Sequence, residues 1–146
     1  MANPSRRFEG ILDRHFEAVL EDNPIYANYC GLTTGDGRLG EVDGAFEARQ
    51  EKRRQNTLAD LDSISPRDLS SDQQIDRLAL RARLRRECED FSRSRWTLDP
   101  SGLEQVLNLL LHELQRGDAE SNRSARNIRA LLKAIPSHLA AAAKII

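Results

Sequence analysis

The stretch SDQQIDRLALRARLRRECEDFSR, Ser71 to Arg93, decides the fold class. At about 100° per residue, Ile75, Leu78, Ala79 and Ala82 fall on one helical face, and Leu80, Leu84, Cys88 and Phe91 fall nearly opposite. The segment therefore reads as one long helix with two apolar sides, which predicts packing partners on both.

Working outward toward the C-terminus, Trp96 and Asp99-Pro100 mark a break. Beyond it Leu103, Val106, Leu107, Leu110, Leu111 and Leu114 describe a strongly apolar helix, expected to be central and to stop near Gly117. From Asn122 to Ile146, Ala125, Ile128, Leu132, Ile135, Leu139, Ala142 and Ile146 repeat at three and four residues, the pattern of a helix–helix seam. Pro136 interrupts it, which allows either two packed pieces or one rod. The pattern runs into Lys144-Ile145-Ile146 without a cap, and the expectation is an N-terminal fragment cut from a longer chain.

Toward the N-terminus, Phe8, Ile11, Leu12, Phe16, Val19 and Leu20 line one face of a helix from Ser5 to Glu21. Asn23-Pro24 restarts a short helix that carries Ile25, Tyr26 and Tyr29 until Gly31. Thr33 to Gly44, with four glycines, reads as a loop. Ala45 to Leu61 reads as a charged helix with sparse anchors at Phe46, Leu58 and Leu61, ending before Ser65-Pro66. The predicted architecture is all-α: about five helices in an irregular bundle without a sheet, forming a single domain over residues 1–146.

Composition narrows the function classes. A chain of 146 residues with 39% hydrophobic and 31% charged side chains is long enough for one globular core. Its 22 basic and 23 acidic residues give a net charge of −1, so no global field favours nucleic acid or anionic lipid. Cys30 and Cys88 fall in different helices and suggest neither a disulfide framework nor a CxxC metal pair. Acidic residues at Glu9, Asp13 and Glu17 rule out a signal-peptide core, no apolar run nears transmembrane length, and the expected location is cytoplasmic.

Several motifs imitate chemistry. Gly35-Asp36-Gly37-Arg38-Leu39-Gly40 matches GxGxxG but lacks the strand before it and the βαβ unit after it. Asp36, Glu41 and Asp43 offer oxygens, yet Arg38 occupies a position that a calcium loop needs. His112-Glu113 opens like a zinc-peptidase HExxH helix, but the second histidine is replaced by Arg116. His15 and His138 share no ligand spacing with His112. The row Glu9, Asp13, Glu17 and Glu21 reads as a solvated face. Arg77, Arg81 and Arg85, one turn apart, could follow phosphates but suit contacts to acidic helices better. Arg123, Arg126, Arg129, Lys133 and Lys144, with no acid after Glu120, give the last helix a basic amphipathic profile without aromatic anchors.

Three stretches together resemble a bacterial family of zincin-like metallopeptidases known mainly as a domain of unknown function. They are Phe16 to Leu32, with Asn23-Pro24-Ile25-Tyr26-Ala27-Asn28-Tyr29-Cys30-Gly31-Leu32; Leu69 through Asp72, Asp76, Leu78 and Leu80 to Trp96-Thr97-Leu98-Asp99-Pro100; and Ala134-Ile135-Pro136-Ser137-His138-Leu139. The family's metal motif, of the His-Glu-x-x-Pro-Gly-His-His type, lies much further downstream and has no counterpart here, so none of its functional residues carries over. The resemblance implies a helical wall or cover for a peptidase-like body, with zinc and water chemistry supplied by a C-terminal region.

The expected role is a scaffold segment that is inactive alone and pairs with the missing C-terminal region. No catalytic, cofactor-binding or metal residue is assigned in this chain. The alternative is a self-contained interaction module that buries the last helix in a two-fold homodimer. An arginine-mediated nucleic-acid binder is the weaker third, and neither nucleic acid nor membrane is the expected partner.

Overall fold

A computed structural model describes residues 3–98, 101–115 and 121–144. The helices are α1 (Pro4–Asp22), α2 (Pro24–Tyr29), α3 (Gly44–Asp62), α4 (Ser71–Ser92), α5 (Ser101–Gln115) and α6 (Ser121–Ala142), with no strand among the described residues. The fold is all-α as the sequence predicts. The Asp99-Pro100 break, the Gly117 stop, Arg116 and the terminal isoleucines lie outside the described residues. No described helix is long and apolar enough to cross a membrane.

The chain forms two compact units, one of Met1–Ala18 with Ala45–Trp96, the other of Val19–Gly44 with Thr97–Ile146. In the first, Phe8 and Ile11 of α1 meet Leu61, Ile64, Leu69 and Leu84, flanked by Leu12, Leu58 and Leu80. Local chemistry fixes the entry to α4. The Ser70 hydroxyl accepts from the Gln73 N–H (3.3 Å) and the Gln73 side chain accepts from the Ser70 N–H (3.2 Å), a reciprocal cap that satisfies two exposed amides. At the other end of the connection, the buried Arg77 guanidinium donates to the Leu61 carbonyl (2.9 Å), one of the acceptors that a helix terminus leaves open. Arg81 pairs with Asp62 at 2.5 Å, and this hydrogen bond holds the Asp62 carboxyl below its usual range. Two arginines of the stacked row thus serve the end of α3.

One expectation for this unit fails. Leu84 is buried and Leu80, Cys88 and Phe91 are half-buried, but Ile75 is 65% and Leu78 60% exposed, with Ala79 and Ala82 also exposed. Only one side of α4 is covered, because α1 and α3 fill that side alone.

The second unit begins where Asn23 caps α2, its Oδ1 accepting from the Tyr26 N–H (2.9 Å), with Pro24 in the first turn. Gly31, at φ +80°, ends α2 as predicted: the Leu32 N–H reaches back to the Ala27 carbonyl and the Gly31 N–H to that of Asn28, both at 2.9 Å. Ile25, Leu39, Val106, Leu109 and Leu131 form the core, with Leu110, Ala134 and Ile135 against it. α6 continues through Pro136 as one helix, with the proline on its exposed side, where the carbonyl that loses its donor can meet water.

The helix expected to be central, α5, is open on one side: among its described side chains Val106, Leu109 and Glu113 are buried, whereas Leu107, Leu111 and Leu114 are 54%, 55% and 62% exposed. Leucines on both sides of this helix leave periodicity unable to choose the inner face.

Candidate functional site: a buried polar knot

Following the inner stripe of α5 leads from Val106 and Leu109 to Glu113, a glutamate only 1% exposed. An ionisable group at such a position must be hydrogen-bonded or pay a large desolvation cost. Two amides meet this need: Asn28 Nδ2 from α2 donates to Oε1 (2.8 Å), and Asn127 Nδ2 from α6 donates to Oε2 (3.2 Å). Asn28 Nδ2 also reaches Asp36 Oδ1 (3.2 Å), and Arg123 of α6 closes the set, its Nε donating to Asp36 Oδ2 (2.6 Å). Asn28 Oδ1 is buried without a hydrogen-bond partner among the described residues.

The glycine-rich stretch belongs to this knot. A Cβ at Gly35 would stand 2.0 Å from the Pro24 carbonyl oxygen and 2.9 Å from the Asn28 nitrogen, so only glycine lets the turn lie against α2. At Gly37, φ +65°, an added Cβ would stand 3.1 Å from the Ala130 Cβ on α6, so this part of the turn also lies close to its neighbour. The GxGxxG letters here serve close packing, and Asp36 accepts from Arg123 and the Asn28 amide.

The remaining sequence candidates are dispersed. Glu41, Asp43 and His138 line a shallow open cavity of about 320 Å³ together with Leu39, Val42 and Ser137. Burial pushes the His138 pKa down against an opposing hydrogen bond to the Gly40 backbone. His112 is half-buried, edge-on to the Tyr29 ring at 5.1 Å. His15 belongs to the first unit, where burial and then Arg83 depress its pKa. Glu9, Asp13, Glu17 and Glu21 are exposed, as a solvated face should be. Neither cysteine is bonded, and burial pushes the Cys88 thiol up to about 11. Among the described residues no three His, Cys, Asp or Glu side chains gather as metal ligands.

Chemically, the knot holds four pieces of chain together. Both Glu113 oxygens accept amide hydrogens, which ties this side chain of α5 to α2 and α6. Sequence reasoning weighed Glu113 as part of HExxH and Asp36 within GxGxxG and as a calcium ligand, and gave Asn28 and Asn127 no role of their own. A usable signal was present: Glu113 follows Leu109 by four residues and Val106 by seven, placing an acid on a potential buried stripe.

An all-α chain with a buried polar anchor in its second unit is the class defined by this fold and site. The chain belongs to the family described as Bacterial protein of unknown function (DUF885), whose model matches residues 24–146 and so takes in all five residues of the knot. A search of curated proteins and a search of solved structures each returned no match.

Proposed function

We propose that this chain is a helical scaffold for a larger DUF885 protein, inactive alone, whose open leucine faces receive further protein. The observation that carries the proposal is the row Leu107, Leu111 and Leu114 on α5, each more than half exposed, on a helix whose opposite side is already packed. Ile75 and Leu78 give α4 a second such face in the other unit. Contiguous exposed apolar rows of this kind mark interaction surfaces.

Resemblance to zincin-like metallopeptidases supports the finer reading that the scaffold forms one wall of a substrate groove. The His112-Glu113 pair does not fit a zinc ion in the manner of an HExxH helix. Glu113 is committed to two amides, His112 packs on Tyr29, and position 116 is an arginine.

The test compares the 146-residue chain with the longest natural protein that contains it. An apolar-surface dye should bind the chain several-fold more strongly per molecule, and zinc-dependent peptide hydrolysis should be confined to the longer protein. Equal dye binding by the two would overturn the scaffold proposal, and hydrolysis by the chain alone would overturn its inactivity.

A further inference from the structure

On α6, Leu132 and Leu139 are exposed, with Ala125 and Pro136 between and beside them. Arg126, Arg129 and Lys133, all exposed, run along one flank of that stripe, and no acidic residue occurs anywhere in α6. None of these three cations forms an ion pair among the described residues. A two-fold contact of α6 with α6 would set these cations against their own copies, and like charges held together destabilise a contact. Such a surface calls for an acidic amphipathic helix.

This chain carries one. On α1, the half-exposed Phe16 lies beside Glu9, Asp13 and Glu17, all three exposed. Glu9 makes one contact, accepting from the Gln73 side chain at 3.3 Å, and remains open to solvent. At about 1.5 Å rise per residue, Glu9 to Glu17 spans about 12 Å and Arg126 to Lys133 about 10 Å, so the rows match in length as well as sign.

We propose that two copies of this chain associate by laying the acid-flanked face of α1 from one copy on the base-flanked face of α6 from the other. The apolar residues supply the contact and the charges choose the partner and its register. The proposal is independent of what covers α4 and α5.

Sedimentation across a concentration series tests it, at low salt and at 1 M salt, where screening acts within about 3 Å. The wild-type chain should associate at low salt and weaken at high salt. R126E/R129E/K133E and E9K/D13K/E17K should each associate at least about tenfold more weakly, since exposed pairs contribute modestly but three are reversed together. Mixing the two variants should restore association in a one-to-one complex, because each contact again joins opposite charges, and this recovery also shows that both variants fold. L107Q/L111Q should associate like wild type, which separates this proposal from the scaffold proposal. A monomeric wild type, association that survives either reversal, or a mixture that stays apart would overturn it. Binding of α6 to anionic vesicles by a chain that remains monomeric would overturn it in favour of a lipid surface.

Discussion

The two units bury different chemistry. The first closes on Phe8, Ile11, Leu61, Ile64, Leu69 and Leu84, and its two buried charged residues bond locally, Arg77 to the end of α3 and Glu51 to Gln55 one turn along the same helix. The second places Glu113 and Asn28 in its interior and leaves Leu107, Leu111 and Leu114 outside. Apolar burial is non-directional and tolerates adjustment, whereas buried amide-to-carboxylate bonds hold only one arrangement. The first unit is thus built for stability, and the second for fixed placement of its helices, including the helix whose outer leucines are open.

The largest expected effect that would sharpen this contrast is Leu84→Ala. Removing a fully buried leucine should cost about 2–5 kcal/mol, read by denaturant unfolding. A loss below about 1 kcal/mol would break the account of the first unit. Glu113→Ala should cost about 1–3 kcal/mol, because the Asn28 and Asn127 amides lose their acceptor. Its signature is local: amide exchange should quicken in α2 and around residues 33–38, and an unchanged exchange pattern would deny the knot its anchoring role.

A smaller effect is shared by both units. Burial lowers the pKa of His15 in the first and His138 in the second below the ordinary 6.5, so the fold favours neutral imidazoles. The stability they contribute is complete above that unfolded value and is lost as pH falls below it toward the folded values. Unfolding followed from pH 7.5 to 5 should show declining stability, with a shallower decline in His15→Gln and His138→Gln.

Helix positions were legible because caps and periodicity are local: Asn23-Pro24 and Gly31 do in the structure what their letters suggest. Faces were less legible. α4 and α5 carry leucines on both sides, and which side is covered depends on helices distant in sequence. Pro136 allowed either two pieces or one rod, and the rod forms because its lost hydrogen bond faces water. The knot was hardest to read, since Asn28, Asn127 and Glu113 are residue types usually found at surfaces. The glycine stretch misled for the opposite reason, its letters matching a phosphate loop while its backbone serves close packing at Gly35.

The central claim is that the outer leucines of α5 are held open for another protein surface. The most direct measurement is the thermal unfolding midpoint of L107Q/L111Q/L114Q in the isolated chain, using glutamine because its helix propensity is close to that of leucine. The structure predicts a midpoint within a few degrees of wild type and a clear fall in apolar-dye binding, as surface substitutions typically stay within about 0.5 kcal/mol each. A collapse of the fold would show that these leucines belong to the core and would contradict the account.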